Sequence, residues 1–409
     1  MDLENSLEKY AELIVHTGLN LQAGEKLMIR ANAEGLELVR KVAKAAYQAG
    51  VVDVKLLFQD DQLSLTRYLH APDSAFETYP EYEVEYTEAL YKDGYQILVL
   101  SGVDPELLKT ADPKRISTFQ KTAGIATKRI QHYTMENKNK WCVVGAATNG
   151  WAKSAFPDLP AEEAKARLWQ NIFKATRVDQ EDPVAAWQAH DEELKRHMDF
   201  LNEAKFEKIV FEGPGTDLVV GLAEGNRWDG GSGKSQAGVS FFPNMPTEEI
   251  FSMPHADKVN GKITATLPLS LRGQLVDKFW FKFEDGKVTD FDAAQGKEIL
   301  QGLLDTDEGA RRLGEIALVA HHSPISQTGV LFKNTLFDEN ASCHLALGQA
   351  YSDTMQGATG RTEEENRKLG MNDSMIHTDF MVGSDQVTVT GIRRDGSQVV
   401  LLKDGDWQI

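Results

Sequence analysis

Apolar and polar positions along this chain follow two rhythms, and the rhythm changes near the middle. In the first half, apolar runs of strand length alternate with segments of helical spacing. Asn5 or Ser6 can cap a helix that runs to Thr17 and stops at Gly18. Lys26 to Arg30 then reads as a strand, Ala33 to Ala49 as a helix closed by Gly50, and Val51 to Phe58 as a second strand. A strand, helix and strand in succession imply parallel pairing. Tyr95 to Ser101 and Trp141 to Ala146 add further strands, with helical patterns between them. The amino-terminal half is therefore expected to be an α/β domain with an open, largely parallel sheet.

After Gly150 the pattern is helical and charged, through Ala161 to Thr176 and Pro183 to Ala204, with no strand between. From Ile209 short strands and turns take over: KIVFEG, TDLVVGL, GKITATLPL, DKFWFKF and KVTDF. Asp285-Gly286 and Asp395-Gly396 carry hairpin signals. We place the boundary near Lys205 to Lys208, giving an α/β domain over 1–205 and an α+β, β-rich domain over 206–409. A chain of 409 residues exceeds what one hydrophobic core usually supports, which agrees with two domains.

Charge narrows the partners. Forty-four basic against 62 acidic residues leave a net charge of -18, which disfavours nucleic acid and anionic membrane. The opening MDLENSLEKYAELIVHTGL lacks the basic start and apolar core of a signal peptide, and no apolar run approaches the ~20 residues of a membrane span. A cytoplasmic protein is expected. Two cysteines, Cys142 and Cys343, exclude a disulfide framework. Cys343 adjoins His344, but neighbours on a helix point ~100° apart, so the pair reads as a small buried cysteine beside a histidine.

The chemistry gathers between Phe337 and Met381. ENASCHLALGQAY reads as a buried helix on which His344 and Tyr351, seven residues apart, share a face. SMIHTDFMV reads as a strand that points His377 and Asp379 to one side. Upstream, Glu249 interrupts an apolar segment in NMPTEEIFSMP. Glu315 follows Gly314 where a charged helical run gives way to an apolar strand, a position expected at the rim of a sheet. Together, Glu249, Glu315, His344, His377 and Asp379 offer three carboxylates and two imidazoles. That set is oxygen-rich for one zinc ion and suits two divalent ions sharing a carboxylate. Singly, each residue also fits an ordinary core histidine or a solvated charge; burying so much charge in one domain calls for a compensating cation.

PTEEIFSMPH, LLDTDEGARRLGEIALV, TLFDENASCHLALGQAY and SMIHTDFMVGS together resemble the M29 family of metallo-aminopeptidases, and KLMIRANAEGLELVRKVAKAAYQAG extends the resemblance to the amino-terminal half. It implies metal ligands at Glu249, Glu315, His344, His377 and Asp379, and an active-site tyrosine at Tyr351. Of the pair Glu248-Glu249, the second is taken as the ligand. The resemblance also implies zinc or cobalt as the two ions per subunit, short peptides as substrates, and a homodimer; the ligand types alone would equally accept manganese. Glu315 is the candidate bridge, with Asp379 its rival. Glu339 is the candidate general base, with Glu248 in reserve, and Tyr351 the candidate donor to the oxyanion.

Several patterns are decoys. GGSGKS ends like a phosphate-binding loop, but Trp228 stands where the motif needs glycine. His321-His322 reads as a loop pair, and Glu363-Glu364-Glu365 as a solvated face. Two other functions remain open at this point: a dinuclear phosphoesterase, and a non-catalytic ligand-binding protein built on the amino-terminal layer. The second is weakened because no G-x-G-x-x-G follows the first strand.

Overall fold

The computed structural model describes residues 2–271 and 274–409. They fall into two compact units, Met1–Gln188 with Ser232–Pro246, and Ala189–Gly231 with Thr247–Ile409. A boundary after residue 205 expects two consecutive halves. The structure instead divides the chain inside the helix Pro183–Ala204 and returns 232–246 to the first unit. The returning segment has its own hydrogen bonds there: the Phe242 N–H donates to Gly18 O (2.7 Å), and Asn244–Met245 pairs as a short strand with Trp141–Gly145. Neither the interior of a helix nor a two-residue strand leaves a compositional mark.

The first unit is built on β1 (Lys26–Asn32), β2 (Asp53–Gln59), β3 (Tyr95–Ser101) and β4 (Trp141–Gly145), all parallel, in the spatial order Asn244–Met245, β4, β3, β1, β2. Leu27, Met28 and Ile29 of β1 are fully buried, the unbroken apolar run that a strand covered on both faces requires. The open parallel sheet expected from the sequence is present. Asp2, not Asn5 or Ser6, caps the first helix, Leu3–Leu13, by accepting the Glu4 N–H; five further residues, Ile14–Gly18, continue it as a π-helical turn.

The second unit holds two antiparallel sheets. The larger runs in the order Leu269–Leu271, Gln274–Glu284, Pro254–Thr264, Thr216–Leu222, Lys208–Gly213, Thr388–Ile392, Gln398–Lys403, Asp406–Trp407, with Lys287–Gln295 beside Gln274–Glu284. Two of its hairpin turns sit at Asp285-Gly286 and Asp395-Gly396, as expected; Asp285 and Gly286 adopt φ of 48° and 79°. The smaller sheet, in the order β8 (His377–Met381), β7 (His344–Gly348), β6 (Leu313–Leu318), β5 (Ile250–Ser252) and Asp229–Gly230, carries the chemistry. One core joins the two sheets: Phe211, Val220, Phe279 and Phe281 pack with Ile316, Leu345, Leu347 and Phe380. Among the described residues, no helix is long and apolar enough to cross a membrane.

Two expectations about local structure are corrected here. ENASCHLALGQAY is not a helix: a short helix Thr335–Asp338 and a 3-10 turn Glu339–Ala341 lead into strand β7. Leu345 and Leu347 point into the shared core, while His344, Ala346 and Gly348 take the alternate face, a period of two that a small-residue helix cannot give. Glu315 is not at a rim either. It lies within β6, the central strand of the five, and all six residues of that strand are buried.

Candidate metal centre

Register explains how side chains distant in sequence meet. Glu315 of β6 lies opposite Ala346 of β7, which lies opposite Asp379 of β8, so the three share one row and one face. One row to one side is His344, between Ala317 and Met381; one row to the other is His377, opposite Gly348. Between the ligands, this face carries Ala317, Ala346 and Gly348, whose small size leaves the space open. Glu249 approaches from the residue just before β5.

A β-bulge aims Glu315. Leu313 pairs with Leu347 and Glu315 with Ala346, so Gly314 is the extra residue. A side chain at Gly314 would put its Cβ 2.3 Å from Gly348 O and 2.4 Å from Gln349 O, so only glycine fits.

The result is two overlapping ligand groups, Glu249, Glu315 and His344 in one, Glu315, His377 and Asp379 in the other. Glu315 belongs to both, and its two oxygens divide between them. Its Oε1 is 3.4 Å from His344 Nε2 and its Oε2 is 3.7 Å from His377 Nε2. The outer carboxylates close each group: Glu249 Oε2 is 3.1 Å from His344 Nε2, and Asp379 Oδ1 is 3.2 Å from His377 Nε2. Both imidazoles are anchored from behind on backbone carbonyls. His344 Nδ1 lies 3.1 Å from Ser342 O, and His377 Nδ1 lies 2.7 Å from Gln349 O. A proton on each Nδ1 directs each Nε2 lone pair into the site, the usual support of a metal-binding histidine. Ser342 and Gln349 were not foreseen from the sequence, because they act through carbonyls that any residue carries.

Charge crowding dominates the electrostatics. Burial alone would lower the His344 imidazole, but its hydrogen bonds to Glu249 and Glu315 raise it well above the ordinary value. His377 is likewise lowered by burial and raised by Asp379 and Glu315, ending at about 9. Burial pushes the Glu315 carboxyl up, partly offset by His344. Burial acts in the same direction on Asp379, yet His377 and His344 hold it below the usual range. Glu339, partly buried in the turn before β7, is raised well above a normal carboxyl, first by burial and then by the charges of Glu249 and Asp379. So much negative charge at the buried face of a sheet needs cations to offset it. Oxygen and imidazole donors fit zinc, cobalt or manganese, and one carboxylate common to two groups fits a pair of ions.

Tyr351 follows β7 as the first residue of a turn and not on a shared helical face with His344. It still reaches the site: its ring stands 4.6 Å from the His377 ring, and burial, then the charges of Glu315, Asp379, Glu339 and Glu249, push its phenol far above the ordinary value. Glu248 turns elsewhere, donating its N–H to Asn340 Oδ1 (2.7 Å) and placing Oε2 3.5 Å from His190 Nε2. Cys343 is buried, its Sγ 3.2 Å from Val319 O, on the face opposite His344. His322 pairs with Asp406, and Glu363 to Glu365 open a short helix capped by Thr362.

Comparison with known proteins places the chain in a family. A family model described as thermophilic metalloprotease (M29) matches residues 3–407. The chain is 45% identical to Aminopeptidase 2 of Geobacillus stearothermophilus and 44% identical to Aminopeptidase T of Thermus aquaticus, each match covering 99% of this chain and 98% of the relative. Its fold superposes on the solved structure of AmpT from Thermus thermophilus with a TM-score of 0.94, at 41% identity over 99% of both chains. The chain belongs to the M29 family of metalloproteases.

Proposed function

We propose that this protein is a metal-dependent aminopeptidase that releases amino-terminal residues from short peptides with a water activated between two divalent ions. The observation that carries the reading is Glu315, which belongs to both ligand groups and turns one oxygen toward each imidazole. Glu249 and His344 would complete the holder of one ion, His377 and Asp379 that of the other. Bound there, the ions supply Lewis acidity, polarising a carbonyl and lowering the pKa of water.

The protein's own groups do the rest. Glu339 takes the proton of the attacking water and returns it to the leaving amine. Burial, the first cause of its raised pKa, makes it a better base than a solvated carboxylate. Tyr351 donates its phenolic O–H to the oxyanion that develops on the scissile carbonyl. Its raised pKa keeps that proton in place at neutral pH, and such donors are worth ~2.7–4 kcal/mol each. The strongly acidic protein, with a net charge of -18, suits a substrate that carries a positively charged amino terminus. Assembly as a homodimer and a cytoplasmic setting belong to this proposal; the two unpaired, buried cysteines suit a reducing compartment.

Elemental analysis of the purified protein, paired with aminoacyl anilides and phosphate monoesters, tests the reading. Two equivalents of a transition metal with cleavage of leucyl or arginyl anilide support it. Phosphatase turnover without anilide cleavage overturns it.

A further inference from the structure

The two ligand groups rest on different foundations. The His344 group is anchored at the end of the sheet where β7 begins and β8 ends: the Oγ of Ser342, buried just before β7, both accepts the N–H of Gly383, buried just after β8 (2.9 Å), and donates to Gly383 O (3.0 Å). The His377 group depends on a polar clamp at the end of the sheet where β6 begins, β7 ends and β8 begins. At the centre of that clamp is Asp307, which lies between the helix Lys297–Leu304 and the turn leading into β6.

Asp307 binds the turn that delivers His377. Its Oδ1 accepts Ser374 Oγ–H (2.8 Å) and the Ala310 N–H (2.8 Å), and its Oδ2 accepts the Met375 N–H (2.7 Å). The Ser374 N–H donates in turn to Gln349 Oε1 (2.9 Å), and the Gln349 N–H donates to Ile376 O (2.6 Å). The Gln349 carbonyl is the group that holds His377 Nδ1. Asn372 ties the same end together, its Nδ2 donating to Gly309 O (2.9 Å) and Gly348 O (2.6 Å). The hydrogen bonds on the path from Asp307 to His377 span 2.6 to 2.9 Å, and none passes through His344 or Glu249.

We propose that Asp307 is a positioning residue: through Ser374, Met375 and Gln349 it sets the direction of His377 Nε2 and so tunes the affinity of one ion of the pair, leaving the other untouched. The inference rests on the two-ion reading of the site. Partners of this kind behind a ligating histidine typically carry ~10–100-fold in metal affinity.

The test is calorimetric titration of cobalt into metal-free full-length protein, with thermal unfolding of the same samples. In Asp307→Ala, one equivalent is expected to weaken by at least ~10-fold while the other keeps its wild-type affinity. Ser374→Ala, which removes one link and little packing, is expected to shift the same equivalent less, and Asp307→Asn, which keeps one acceptor oxygen, to recover part of the loss. Asp305→Ala, two residues away and paired with Arg311 outside the clamp, is the control and should leave both equivalents unchanged. If Asp307→Ala and Ser374→Ala bind both ions as wild type does, or lose both in parallel, the inference is overturned while the two-ion reading stands. A wild-type protein that takes up fewer than two ions overturns both.

Discussion

The two halves of the centre are chemically matched and structurally unequal. Each half offers one imidazole, one carboxylate of its own and one oxygen of Glu315. The Glu249–His344 half is held by buried strand and turn residues, with His344 on a strand buried along its whole length. The His377–Asp379 half lies on β8, the edge strand, whose first three residues are only partly buried and whose entry turn is fixed by hydrogen bonds to Asp307 and Gln349. Polar groups fix the strand ends of both halves, but Ser342 and Gly383 behind His344 are buried, whereas Asp307, Ser374 and Gln349 behind His377 are only partly buried. Tyr351, its ring 4.6 Å from that of His377, stands on that more open edge.

Removing what the halves share should have the largest effect. Glu315→Ala is expected to abolish binding of both ions and lower kcat/KM by more than ~10³-fold, since catalysis of this kind depends on the ions for both Lewis acidity and activated water. Asp379→Ala should lose only its own ion, so metal content by elemental analysis separates the shared ligand from the private one. A Glu315→Ala protein that keeps one tightly bound ion would break the symmetry argument. Next comes Tyr351→Phe, for which kcat is expected to fall ~10²–10³-fold with metal content unchanged. A normal kcat in that variant would remove Tyr351 from the chemistry.

This inequality also governs what could be read from the sequence. SMIHTDFMV announced a strand because its β-branched and apolar residues mark one, with His377 and Asp379, two apart, on one face. HLALG did not, because a central strand with both faces buried shows no alternation of polarity. What alternates is size, with His344, Ala346 and Gly348 on the site face and Leu345 and Leu347 in the core, and that signal was available. Glu315 was singled out in the sequence, but its position on the central strand was not. The bulge at Gly314 makes a strand start look like a helix-to-strand junction. The open parallel sheet of the first unit was legible because β1 and β3 carry short unbroken apolar stretches, Leu27 to Ile29 and Ile97 to Leu100. Asp307 and Gln349 were not, because a clamp built from hydrogen bonds to backbone amides has no periodicity and depends on which strand ends meet.

Ala346 offers a sharper and smaller perturbation. It is fully buried in the row between Glu315 and Asp379, so the space its missing side chain leaves is part of the site. Ala346→Leu should lower affinity for both ions by ~10-fold or more through occlusion of that space, at an overpacking cost of ~1–3 kcal/mol in stability. Ala346→Ser, nearly the same size, should retain both ions. Equal metal affinity in the leucine variant would mean that the ligands meet above the sheet surface, independent of this row.

The smallest effect compares two carboxylates that do similar work on opposite sides. Asp338 precedes Glu339 and fixes the turn before β7, accepting the N–H groups of Phe332 (2.8 Å) and Asn334 (3.0 Å); burial pushes its carboxyl up to about 7. Burial also acts to raise Asp307, but the N–H of Met375 and the hydroxyl of Ser374 hold it below the usual range. The signs are therefore opposite. A raised carboxyl binds its proton more tightly when folded, so its stabilisation is complete below the unfolded value of ~3.9 and is lost as pH rises through about 7. A lowered one contributes above ~3.9 and loses its contribution only as pH falls below that. Thermal unfolding of the metal-free protein from pH 4 to 8 should show Asp338→Asn gaining on wild type as pH rises, by an amount on the order of 2–4 kcal/mol at most. Over the same range Asp307→Asn should run parallel to wild type. If both variants track wild type, the turn before β7 is solvated and the two halves are held alike. If Asp338→Asn alone diverges, the His344 half is the one whose support weakens as pH rises toward neutrality.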